Sequence, residues 1–69
     1  MSKKINKHER IILDVLYLAW RPLNTKEIAE KANISWATAK KYLKRLYRKG
    51  HLRTKKKGNT RYWRIKSKI

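Results

Sequence analysis

The 69-residue sequence has no cysteine, one proline, two glycines and only four acidic residues. Without cysteine, neither a disulfide nor a Cys-type zinc site can staple so short a chain, and the composition suits a reducing compartment. No apolar run approaches the roughly 18 residues that span a bilayer. The lysine-rich start does not lead a signal peptide, because the apolar run behind it carries Asp14 and no small-residue cleavage site follows. His8 and His51 are the only histidines and have no carboxylate at ligand spacing, so no metal is expected. No acid–base pair or nucleophile constellation marks an enzyme, and no cofactor is expected. The chain is one small domain without room for a cleft between lobes. It buries roughly 60% of its unfolded surface, so its stability is small or drawn partly from a partner.

What is abundant is positive charge: 21 Lys+Arg give a formal net charge of +17. Residues 1–34 hold seven Lys/Arg and all four acids (Glu9, Asp14, Glu27, Glu30), a net +3, whereas residues 35–69 hold fourteen Lys/Arg and no acid, a net +14. A field of one sign repels itself and points to a polyanionic partner. Nucleic acid is favoured over an anionic membrane, because the basic half lacks the continuous apolar face of a helix lying in lipid.

The most informative stretch is residues 35–50. Ser35 is placed to N-cap a helix and Gly50 to close it in a left-handed position. Between them Ala39, Tyr42, Leu43 and Leu46 recur at three and four residues, the period of a buried stripe. Ala37, Lys40, Lys41, Lys44, Arg45 and Arg48 fall toward the opposite side.

Ahead of it, residues 1–7 read as a flexible basic arm and residues 8–20 as a first helix, ended by Arg21-Pro22. Leu13, Leu16, Tyr17 and Trp20 form one stripe of that helix, and Ile11, Val15 and Leu18 a second. The second stripe needs cover, from Ile65 and Ile69 of the C-terminal tail or from another copy of the protein; a homodimer is the favoured reading. Leu23 falls in a short extended link. Asn24 and Glu27 have the spacing of a capping box, opening a helix with Ile28, Ala29 and Ala32 inward. Asn33 suits a left-handed turn, and Ile34 plugs the core. After Gly50 the period changes to two: residues 51–55 and 60–66 read as strands joined by a turn at 56–59, with Gly58 and Asn59 supplying positive φ. Leu52, Thr54, Trp63 and Ile65 are expected inward, Tyr62 and Arg64 outward.

Three helices and a basic hairpin in this order resemble the winged helix–turn–helix family. The likeness is carried by Arg10-Ile11-Ile12-Leu13 with Leu16, by Leu23 through Ala29, by Ser35 through Thr38 to Leu43, Leu46, Gly50 and Leu52, and by Thr60-Arg61-Tyr62-Trp63. It spans residues 8–66, leaving 67–69 as a tail. It implies an α+β, mostly α fold: three helices followed by a two-stranded wing. The nearest group is the small DNA-binding regulators of bacteria and archaea, and the lysine-rich, cysteine-free composition suits an archaeal or archaeal-virus source.

The family implies that the helix at 35–49 enters the major groove of double-stranded DNA and that the wing at 55–61 follows the backbone or minor groove. Its first two turns then offer Ser35, Trp36, Ala37, Thr38, Lys40 and Lys41. Ala37 and Trp36 are placed for thymine methyls, and Lys40, Lys41 or Lys44 for guanine. Arg45 and Arg48 lie nearer the phosphates. Trp36 has a second reading, packing against the preceding helix. Lys55, Lys56, Lys57 and Arg61 are expected on phosphates, with Asn59 or Arg61 as minor-groove readers. This set is rich in backbone contacts and poor in base contacts. A transcriptional regulator is favoured over a nucleoid-type coat, with RNA binding third. No effector-binding segment is evident, and the implied setting is the nucleoid in the cytoplasm.

Overall fold

The structure, a computed structural model, describes residues 5–66. The arm residues 1–4 and the tail residues 67–69, with Ile69, lie outside them. The first helix, α1, runs Lys7–Leu18, one residue earlier at its start and two shorter at its end than the sequence pattern predicts. The early start has a local cause. The Asn6 side chain accepts from the Glu9 amide at 2.9 Å, and the Glu9 carboxylate accepts from the Asn6 amide at 3.0 Å, a reciprocal cap that draws Asn6 and Lys7 into the helix. The early end comes at Ala19, whose extended backbone redirects the chain before the proline is reached.

The strand β1 (Leu23–Asn24) is the segment expected to be a plain link. Asn24 then caps α2 (Thr25–Ala32), with Glu27 completing the expected capping box at 2.8 and 3.0 Å. Asn33 ends α2 in the left-handed conformation, φ 58°. Ser35 caps α3 (Trp36–Arg48), its Oγ accepting from the Thr38 amide at 3.1 Å. Gly50, at φ 86°, lets the amides of Gly50 and His51 reach back to the carbonyls of Tyr47 and Leu46, each at 3.0 Å. The hairpin strands are β2 (Leu52–Lys57) and β3 (Thr60–Ile65), paired Lys57 to Thr60 across a two-residue turn. Lys56 and Lys57 are therefore strand and not turn. Only Gly58 has positive φ, 63°; Asn59 does not. Glycine first and a negative φ second is the sign pattern of a type II′ turn, which matches the strand twist. The antiparallel sheet has the order β1-β3-β2, so the two-stranded wing gains a third short strand and β2 is an edge.

One face of this sheet packs against all three helices. Ile12, Leu16, Leu23, Ile28, Ala29, Ala39, Leu43, Leu46, Leu52 and Trp63 form the core. The Trp63 indole N–H donates to the Thr25 hydroxyl at 3.1 Å, so the largest core side chain buries no orphan donor.

The first helix corrects the sequence reading. Its buried face is Glu9, Ile12 and Leu16, with Leu13, Val15 and Ala19 partly buried beside them. Tyr17 and Trp20 are not core: Tyr17 is 50% and Trp20 fully exposed. The second stripe does not hold together either, since Val15 packs on the core while Leu18 is 76% exposed. Ile65 packs against the core, in line with its expected inward position on the hairpin. Among the described residues no helix is long and apolar enough to cross a membrane.

Candidate nucleic-acid interface

The position of α3 is set by its stripe of Ala39, Leu43 and Leu46, each with no exposed surface. One turn of helix is 3.6 residues, so Ala37, Lys41, Lys44 and Arg48 stand directly opposite, and all four are exposed. Trp36, Lys40 and Tyr47 flank this row on the side of the wing; Thr38, Tyr42 and Arg45 flank it on the side of α1.

On the wing side, Trp36 is 53% exposed and lies outside the core, beside Lys26 of α2. The Lys40 ammonium lies over the Trp36 ring, 4.9 Å from the centroid, a cation–π contact. Trp36, Lys40, Lys44 and Tyr47 share a groove with Lys56, Asn59 and Arg61 of the wing and Lys26 of α2. Arg61 is aimed along this face by Thr54, whose hydroxyl accepts from the guanidinium at 3.3 Å and donates to the Tyr62 carbonyl at 2.9 Å.

Lys55 and Lys57 do not join them. Strand alternation puts both on the other face of the hairpin, where they line a second concavity with Arg48, Arg53, Tyr62, Arg64 and Lys66. The sequence-predicted wing contacts thus divide into an inner pair with Asn59 (Lys56, Arg61) and an outer pair (Lys55, Lys57). Ser35 and Thr38 are engaged locally: the Ser35 hydroxyl donates to Thr38 Oγ1 at 2.8 Å while capping the helix.

On the α1 side the structure holds a feature that the sequence pattern did not indicate. Glu9 is fully buried and its carboxylate is held by the Lys49 ammonium at 3.0 Å and approached by Arg45 Nε at 3.6 Å. Burial pushes the Glu9 carboxyl up. The Asn6 amide, the Lys49 hydrogen bonds and the charges of Lys49 and Arg45 outweigh it and hold the group below its ordinary value. Arg45 is therefore half committed to the fold, as is Tyr42, whose ring stacks on His8 with centroids 5.1 Å apart. The available signal was Asn6-x-x-Glu9, the same spacing as Asn24-x-x-Glu27. On α2, Glu27 is also held low, first by Arg21 at 2.9 Å and then by the Asn24 amide. No carboxylate lies on α3 or the hairpin, because none occurs after residue 34.

Comparison with known proteins adds three findings. A model of a protein family of unknown function, DUF7342, matches residues 6–68. No curated protein matches the sequence. Among solved structures, the PcaV transcriptional regulator of Streptomyces coelicolor superposes with a TM-score of 0.85 at 20% identity, over 96% of this chain and 48% of that one. The homodimeric winged helix-turn-helix DNA-binding domain of Mb0332 from Mycobacterium bovis, a possible ArsR-family transcriptional regulator, gives 0.79 at 26% identity, over 90% of this chain and 56% of that one. Human N-acetylserotonin methyltransferase gives 0.78 at 20% identity, over 87% of this chain but 17% of that one. The chain thus spans about half the length of PcaV and of the Mb0332 domain fragment, and a smaller part of the enzyme. The fold is the winged helix–turn–helix, and a fold shared by regulators and an enzyme does not by itself assign a function.

Proposed function

We propose that this chain, which belongs to the DUF7342 family, is a double-stranded DNA-binding winged-helix protein acting as a transcriptional regulator. The carrying observation is the groove between α3 and the inner face of the wing, lined by Lys26, Lys40, Lys44, Lys56 and Arg61 with no carboxylate among its residues. In this reading Ala37, Lys41 and Lys44 face base edges in the major groove, Trp36 lies against thymine methyls, and Lys40 and Arg48 take phosphates. Ser35 and Thr38 fix the helix start against the backbone. Lys56, Asn59 and Arg61 follow the adjacent strand. Arg45 contributes long-range charge from its place beside Glu9. The working location is the nucleoid, in the cytoplasm.

A second copy is the partner assigned to the end of α1, where Leu18 and Trp20 are exposed beside Tyr17. The interface first expected, Ile11, Val15 and Leu18, moves toward that end because Val15 is already used by the core. The homodimeric state of the Mb0332 domain supports this reading.

A nucleoid-type coat is the alternative. It is favoured by one observation: the outward row of α3 offers no Asn or Gln for adenine, and its cations suit phosphates as well as guanine. Selecting bound duplexes from a random pool at near-physiological salt tests both. A regulator enriches a common site, preferred over random duplex by roughly 10³ or more. Retention of the pool without a consensus identifies a coat, and failure to retain duplex rejects DNA binding.

A further inference from the structure

The hairpin register sets Arg53 directly across from Arg64, Lys55 across from Tyr62 and Lys57 across from Thr60. These side chains share the sheet face turned away from Leu52 and Trp63, and Lys66 continues the row. Like charges directly opposed on a ladder destabilise it, and nothing in the hairpin compensates. Among the described residues no carboxylate lines the concavity on this face, and Arg21 at its margin is already bound to Glu27 at 2.9 Å. Protection of an exposed edge accounts for Lys55 and Lys57 on β2. It does not account for Arg64, which lies on the central strand β3.

A wing wedged into one minor groove would use both faces of its tip, but not the base of this row. Arg53 and Arg64 lie four residues back from Lys57 and Thr60, about 13 Å at 3.3 Å per residue. The minor groove is only about 7.5 Å deep. The base of the hairpin therefore stands clear of a minor groove that takes the wing tip, with Tyr47 and Arg48 of α3 at its margin.

We propose that the outer face of the sheet, through Arg53, Arg64 and Lys66, is a second phosphate-backbone site, so that one molecule bridges two DNA duplexes. The guanidinium pair supplies the fork geometry that suits phosphate oxygens. This inference rests on the duplex-binding reading above and adds bridging to it.

The test uses the full chain, a duplex tethered to beads, a second, fluorescent duplex in solution, and a parallel titration of the lone duplex. Wild type is expected to capture the second duplex. Arg53→Ser with Arg64→Ser lowers capture by about tenfold or more while the lone-duplex affinity stays within about threefold. Arg53→Lys with Arg64→Lys, which keeps the charge, retains capture, and so does the Leu18→Glu variant. Capture unaffected by the serine pair overturns the second site. So does capture lost in Leu18→Glu, which would assign bridging to a dimer. A serine pair that lowers lone-duplex affinity in step with capture returns this face to the first site. Lone-duplex binding without capture removes the second site alone, whereas absence of any duplex binding removes both readings.

Discussion

Lys49 donates from its ammonium to both carboxylate oxygens of Glu9, at 3.0 and 3.1 Å, across 40 residues of sequence. The bond joins the C-cap of α3 to the first turn of α1, where the same carboxylate also caps the helix. One side chain thus closes the start of the first helix and fixes the far end of the helix that presents the cations.

Removing that charge tests the arrangement. Glu9→Gln leaves Lys49, whose side chain is 20% exposed, beside a neutral group, and is expected to destabilise the protein by about 2–4 kcal/mol at pH 7. The sign with pH follows from the lowered carboxyl. A group that titrates below its ordinary 4.5 in the folded state contributes fully above that pH and loses its contribution as pH falls through the folded value. Wild-type stability in urea should therefore decline below about pH 5, and the gap to Glu9→Gln should close on the same limb. Glu27, lowered in the same direction by Arg21, leaves the variant a smaller decline of its own. A gap that stays constant from pH 7 to pH 3 would show that Glu9 does not act as an ionised partner.

The outward row of α3 makes a separable prediction, because it touches nothing in the core. Lys41→Ala with Lys44→Ala is expected to weaken duplex binding by about 100-fold and to relax the sequence preference, since both are read as facing base edges. The thermal midpoint should hardly move, since both side chains are exposed. Unchanged affinity in a titration at fixed salt would reject the docking of this helix on DNA.

Much of this was legible because the relevant signals are local. Asn24 with Glu27, Asn33, and Ser35 with Gly50 each fix one chain reversal or helix end by their own chemistry, and the structure uses them as the spacing predicts. The stripe of α3 was legible because most of its other positions are polar or charged. That of α1 was not: apolar residues lie nearly all round it, so periodicity could not choose between faces. Packing chose Ile12 and Leu16 over Tyr17 and Trp20. The Glu9–Lys49 bond joins residues too distant for any helical or strand period. The division of the wing cations was implicit in strand alternation, but it needed the register Lys57 to Thr60, which a predicted four-residue turn had shifted.

The inner face of the wing gives a narrower test than the lysine run as a whole. Lys56→Ser removes one cation from the groove that faces α3 and leaves Lys55 and Lys57 on the opposite face. Binding to a lone duplex should then show a salt slope shallower by about one unit, with the sequence preference unchanged. A slope equal to wild type would mean that the wing's inner face stands off the backbone.

The exposed end of α1 carries the last prediction. A residue such as Leu18, 76% exposed on a helix whose other aliphatic residues are buried or partly buried, has little to lose in the monomer when made charged. Val15 is unsuited to the same test because it packs on the core, and a carboxylate there would damage the fold as well as any interface. Leu18→Glu is therefore expected to keep the wild-type melting midpoint at low protein concentration, within the roughly 0.5 kcal/mol typical of surface changes. If the pair forms through Leu18 and Trp20, sedimentation at micromolar concentration should give a dimer for wild type and a monomer for the variant. The dimer should also show a midpoint that rises with concentration, as mass action requires, and the variant should not. A wild-type chain already monomeric under those conditions would leave the α1 end without a second copy, and DNA binding would then have to be accounted for by one α3 and one wing.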